Sequence, residues 1–145
     1  MTVDEKYMLR CIQLAKEAKR SGKTPVGSLI VYHDEIIAEA MEGEAELPQI
    51  MSHAENLAII KATKKLNTND LSECSLYTTV EPCFMCAYLI RQTRIKEVVY
   101  GTTTGAGGHS SAYPILTAAD IQPWKSNPKV TGGVLRAECE QLFDK

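Results

Sequence analysis

Apolar positions in the first twenty residues recur at helical spacing. Met8, Cys11, Ile12 and Ala15 fall on one face, Thr2 and Glu5 stand at capping-box distance, and Ser21-Gly22 closes the segment, so a first helix is predicted. The period then changes. Val26 to Tyr32 is an apolar run with β-branched residues, His33-Asp34 has turn composition, and Glu35 to Ala40 continues as a shorter strand. Together they predict a hairpin. Met41 to Met51 carries Gly43 and Pro48 among Glu42, Glu44 and Glu46, the pattern of an acidic loop, and the next helix is predicted from about His53 to Leu66.

Further along, Leu76 to Val80 is predicted as a strand, Pro82 to Arg91 as a helix with Pro in its first turn, and Glu97 to Gly101 as another strand. Thr102 to Ser111 is a polar, Gly-rich loop and Tyr113 to Ala119 a short helix. Pro123 to Pro128 is irregular, Lys129 to Val134 a last strand and Leu135 to Phe143 a last helix. Alternation of this kind predicts an α/β chain, a three-layer α/β/α domain around a mixed, mostly parallel five-stranded sheet. With 145 residues, 44% of them hydrophobic, the chain can bury one core, and residues 1–145 are expected to form one domain.

Charge and cysteine usage narrow the setting. A formal charge of −2 provides no global attraction to phosphate backbones. The cysteines, Cys11, Cys74, Cys83, Cys86 and Cys139, are odd in number, and the closest pair has metal-ligand spacing, which favours a reducing compartment. The polar, acidic N-terminus lacks signal-peptide character and no apolar run reaches spanning length, so a cytoplasmic protein without membrane contact is expected.

Two short motifs carry chemistry. Cys83 and Cys86, three apart on a predicted helix, can turn both sulfurs toward one metal ion, and the helix dipole favours their thiolates. The bland alternative is a pair of buried apolar cysteines. His53 and Glu55 are two apart, so they share no helical face and must converge at the helix end. Ser52-x-x-Glu55 also fits a capping box, in which Glu55 only caps and His53 lies on the surface. Three ligands with a free carboxylate nearby would leave a zinc ion one open position, the arrangement of catalytic rather than structural sites.

His-x-Glu and Pro-Cys-x-x-Cys each open a predicted helix after a strand or hairpin, so both can meet at the strand ends of an open α/β sheet. On these motifs the chain resembles the zinc-dependent cytidine and deoxycytidylate deaminase superfamily. Pro25-Val26-Gly27, Ser52 to Glu55 and Leu76 to Cys86 resemble its nucleobase (guanine/cytosine) and tRNA adenosine branch, from about Lys6 to Gly105. The resemblance implies Zn²⁺ held by His53, Cys83 and Cys86, with Glu55 as the catalytic proton carrier. It implies hydrolytic loss of an exocyclic amino group as ammonia, and a homo-oligomer, a dimer at least. Two thiolates and a neutral imidazole cancel the charge of Zn²⁺, which makes a carboxylate partner more necessary for activating water.

Substrate is the harder question. Relatives commonly carry Asn eleven residues before the zinc His, whereas this chain has Glu42 there. An ionised Glu only accepts hydrogen bonds, which suits a substrate richer in N–H groups, although a solvent-facing Glu42 is the simpler alternative. Val26, Ala54, His109 and Tyr113 are the other candidate substrate contacts, with Trp124 beside Tyr113 as a possible ring cover. The field of Glu39, Glu42, Glu44 and Glu46 near the entrance, and a C-terminus without a basic tail, argue against tRNA. Arg91, Arg94 and Lys96 form either a basic strip or an ordinary helix end. The expected substrate is therefore a small free amino-heterocycle, guanine-like first, with tRNA adenosine as the alternative. A non-catalytic zinc protein, needing a fourth ligand from Cys74, Cys139, His33 or His109, is the minor alternative.

Overall fold

The computed structural model describes residues 1–45, 47–104, 106–119 and 127–144. Helix α1 spans Val3–Arg20, and both capping-box hydrogen bonds form: Glu5 N–H to Thr2 Oγ1 at 3.0 Å and Thr2 N–H to Glu5 Oε1 at 2.8 Å. Strands β1 (Gly27–Tyr32) and β2 (Glu35–Met41) are an antiparallel hairpin. His33 and Asp34, at φ +49° and +65°, make its two-residue turn, a left-handed pair that matches the twist of the flanking strands. A 3-10 turn at Gln49–Met51 leads into α2 (Ala54–Leu66). Strand β3 (Cys74–Val80) precedes α3 (Phe84–Gln92), then come β4 (Glu97–Thr102), β5 (Lys129–Thr131) and α4 (Arg136–Gln141).

The sheet order is β2-β1-β3-β4-β5. β1 pairs antiparallel with β2 and β3, while β3, β4 and β5 pair in parallel, so only β1 runs against the other strands. Successive strand residues face opposite layers. Leu29, Val31, Tyr77 and Val99 pack with Tyr7, Met8, Cys11, Ile12 and Ala15 of α1 and with Cys139 of α4. Ile30, Leu76 and Val98 pack on the opposite face with Leu57, Ala58 and Ile59 of α2 and with Ala87 and Ile90 of α3. These are the three layers predicted from the alternation. Among the described residues, no helix is long and apolar enough to cross a membrane.

Several boundaries differ from expectation. Residues 113–119 form turns rather than a helix. Their carbonyls are taken by a buried cation: Arg91 Nη1 donates to the carbonyls of Ile115 at 2.8 Å, Leu116 at 3.1 Å and Ala118 at 3.0 Å. Arg91 is therefore a strut of this loop, not part of a basic strip. Pro82 stands outside α3, whose N-cap is Cys83. β5 ends at Thr131, because Gly132 lies against the Tyr100 ring and Gly133, at φ +85°, turns the chain away. Of the stretch expected to be irregular, residues 123–126, Trp124 included, lie outside the described residues.

Candidate active site

The site lies where β3 runs out and where the β-hairpin meets α2. His53 is the N-cap of α2 and Cys83 the N-cap of α3, with Cys86 one turn further on, so two helix starts are brought together. His53 Nδ1 is 3.5 Å from Cys83 Sγ and 3.5 Å from Cys86 Sγ, and the sulfurs are 3.6 Å apart. Tetrahedral zinc, with bonds of about 2.3 Å to sulfur and about 2.0 Å to nitrogen, needs these edges at roughly 3.5–3.8 Å. The triangle fits the ion. Among the described residues these three are the group that could hold a metal, and Cys74, Cys139, His33 and His109 do not join them. The donor set is thus the open, three-ligand kind.

Protonation follows the same geometry. Contact with Cys86 pulls the Cys83 thiol down to about 5, whereas contact with Cys83, followed by burial, pushes Cys86 well up. Two sulfurs this close share one negative charge unless a cation lies between them. A divalent ion in the triangle allows both to be thiolates.

Glu55 is 4% exposed and does not cap its helix. Its Oε1 accepts from Thr78 Oγ1 at 2.7 Å and from Ser28 Oγ at 3.3 Å, and the two hydroxyls lie 2.8 Å apart. Ser28 and Thr78 are cross-strand partners in the β1–β3 register, so the sheet itself places both hydroxyls under the carboxylate. Burial raises the Glu55 carboxyl to about 7, against the hydrogen bond from Thr78. Such a group can take and return a proton near neutral pH. The capping-box alternative fails for Ser52 too, whose Oγ donates to the carbonyls of Leu47 at 3.1 Å and Pro48 at 3.2 Å.

The other candidates divide into three places. Glu42 joins the site, since its Oε1 accepts the Ala54 N–H at 3.0 Å. Burial nevertheless raises its carboxyl, with the Ala54 hydrogen bond acting in the other direction. Val26 and Ala54 form a small apolar cluster with Val80, and the Val26 carbonyl accepts the Glu42 N–H at 3.0 Å. His109 lies further along the loop, with Nδ1 2.8 Å from the Tyr100 hydroxyl. Tyr113 is 71% exposed and meets Phe84, the residue after Cys83, edge to face with ring centroids 6.1 Å apart.

Sequence reasoning passed over Ser28, Thr78 and Glu81. Ser28 had a signal, a serine in an apolar strand, whereas Thr78 does not stand out in its strand beside Ser75 and Thr79. Glu81 lies directly before the Pro-Cys-x-x-Cys motif, where nothing in the pattern distinguishes it from a solvated Glu.

Residues 1–102 match the family model described as the cytidine and deoxycytidylate deaminase zinc-binding region. The chain belongs to this family, and with it come zinc as cofactor and hydrolytic deamination as reaction class. It is 37% identical, over 96% of its length and 85% of the relative's, to a tRNA-specific adenosine deaminase of Bacillus subtilis. A solved structure from work on A-to-I editing by tRNA:A34 deaminases superposes with a TM-score of 0.86 and 27% identity, over 95% of this chain and 99% of that one. A guanine deaminase structure from Bacillus subtilis is 38% identical but covers 71% of this chain and 66% of its own, with a TM-score of 0.66.

These likenesses overturn the expectation of a small free heterocycle with tRNA disfavoured. The acidic residues misled because those among the described residues are engaged within the protein. Glu39 pairs with Arg10 at 2.6 Å, Glu44 with Lys61 at 2.7 Å, and Glu42 holds Ala54. Glu46 lies outside the described residues. Counting formal charges along the loop therefore overstated the field a phosphate backbone would meet.

Proposed function

We propose that this protein is a zinc-dependent tRNA adenosine deaminase, converting adenosine to inosine within tRNA with release of ammonia. One observation carries the reading: 37% identity to a tRNA-specific adenosine deaminase across 96% of the chain. His53, Cys83 and Cys86 would hold the zinc. When bound, it supplies a Lewis acid that makes water a nucleophile at neutral pH.

The remaining chemistry belongs to the chain. Glu55, held from below by Thr78 and Ser28, takes a proton from water and gives one to the ring nitrogen beside the amino-bearing carbon. It then takes the second proton from the hydroxyl now on that carbon and passes it to the departing amine, so the carbonyl forms as ammonia leaves. A carbon–oxygen bond forms, a carbon–nitrogen bond breaks, and one water is consumed for each ammonia released. Glu42 fixes Ala54, which packs behind Val26, and Val26 is the candidate apolar contact for a purine turned out of its strand. His109 and Tyr113 belong to the loop on the α3 side and are candidates for contacting neighbouring nucleotides.

The test is incubation of the zinc-loaded protein with tRNA bearing adenosine at the first anticodon position, followed by digestion and nucleoside analysis. Inosine appears if the reading holds. Ammonia from free guanine, with no inosine in tRNA, contradicts it.

A further inference from the structure

Glu81 is 4% exposed and lies between the last residue of β3 and Pro82-Cys83. Its Oε2 accepts the backbone N–H groups of His109 at 2.8 Å and Ser110 at 2.6 Å. Its Oε1 accepts the hydroxyl of Ser110 at 2.6 Å and that of Thr103. All four donors come from the loop after β4, so one side chain fastens that loop to the segment bearing a zinc ligand.

The loop is shaped to this contact. A Cβ on Gly107 would stand 2.3 Å from the Glu81 carboxyl carbon, and one on Gly108 would stand 2.6 Å from the Ala87 Cβ on α3. The Gly108 N–H donates to the Pro82 carbonyl at 2.8 Å, and its carbonyl accepts the Leu116 N–H at 2.9 Å. The loop therefore lies directly on the turn that presents Cys83.

We propose that Glu81 is a positioning residue for the metal centre: by clasping Thr103, His109 and Ser110 against Pro82-Cys83, it fixes the direction in which Cys83 presents its sulfur. The role is geometric. Its acceptor atoms, rather than its charge, align the loop with the ligand-bearing turn. Outer groups that orient metal ligands commonly alter metal affinity 10–100-fold when removed, roughly the range expected here.

The experiment measures zinc affinity by competition with a chromophoric chelator, beside melting temperature, for wild type, Glu81→Gln and Glu81→Ala. Gln can accept the two backbone N–H groups through its carbonyl while its amide donates to the two hydroxyls, which can turn to accept. Glu81→Gln is expected within about 3-fold of wild type and Glu81→Ala weaker by about 10-fold or more. Wild-type affinity in Glu81→Ala overturns the proposal, whatever its melting temperature, because a merely structural role lowers stability alone. Equal loss in both variants also overturns it, since charge would then be what matters. If Glu81→Ala does not fold, the Thr103→Val, Ser110→Ala double variant decides from the loop side, with unchanged zinc affinity overturning the proposal and a loss of several-fold supporting it.

Discussion

The Glu42 carboxylate accepts the backbone N–H of Ala54 at 3.0 Å. It thereby performs a duty the N-cap does not, because the His53 side chain makes no capping hydrogen bond at the start of α2. A negative group at the positive end of this helix also interacts favourably with the helix dipole. The acidic loop is fastened at the residue between His53 and Glu55.

Loss of this cap is expected to cost about 1 kcal/mol, the usual value for a helix N-terminus. Urea denaturation of the zinc-loaded protein should place Glu42→Ala below wild type by that amount. Glu42→Gln keeps an acceptor and should lie within about half that distance. Equal loss in the two variants would assign the effect to charge instead.

Glu55 gives stability a pH dependence in the zinc-free protein. Its carboxyl is raised from an ordinary value of 4.5 to about 7, chiefly by burial. A raised pKa means that folding favours the protonated form, so the contribution is complete below the unfolded value and is lost as pH rises through the folded one. Between about pH 5 and about pH 8, wild type should lose on the order of 2 kcal/mol relative to Glu55→Gln, measured by denaturation after metal removal. Parallel curves for the two proteins would exclude a buried, titrating Glu55.

Gly27 couples the core to the site. A Cβ there would stand 2.2 Å from the Cys11 carbonyl oxygen and 2.8 Å from the Ala15 nitrogen, both backbone atoms of α1. Helix or strand must shift, at a cost of about 1–3 kcal/mol. Because Ser28 is the next residue and reaches Glu55, Gly27→Ala should lower turnover as well as melting temperature. A variant that melts early yet turns over normally would separate the two effects.

The triangle of His53, Cys83 and Cys86 is expected to respond to loss of any corner. Cys86→Ala should lower zinc affinity by more than about 100-fold, beyond the range for outer groups, and leave the protein less stable than wild type with metal. Metal analysis after dialysis against a mild chelator reads this directly. Full zinc retention would require a fourth ligand outside the triangle.

The parts legible in the sequence were those set by local chemistry. Thr2 and Glu5 cap α1 as their spacing predicted, His33-Asp34 turns the hairpin, and the two zinc motifs open α2 and α3. What sequence missed depended on contacts between distant segments. The helix expected at 113–119 yields to Arg91, which takes three of the loop's carbonyls from a position more than twenty residues away. Glu39, Glu42 and Glu44 looked repulsive to tRNA because their partners, Arg10, the Ala54 N–H and Lys61, come from elsewhere in the chain. Ser28 and Thr78 became meaningful only once β1 and β3 were in register.

The most direct measurement compares wild type and Glu55→Gln, both with their zinc content determined, for inosine formed in tRNA. The account predicts inosine with wild type, and a loss of at least about 100-fold in the variant at equal zinc occupancy, the scale of a general acid–base contribution. Inosine formed at comparable rates by both zinc-loaded proteins would remove Glu55 from the chemistry. No inosine from the zinc-loaded wild type would contradict the assignment of tRNA adenosine as substrate.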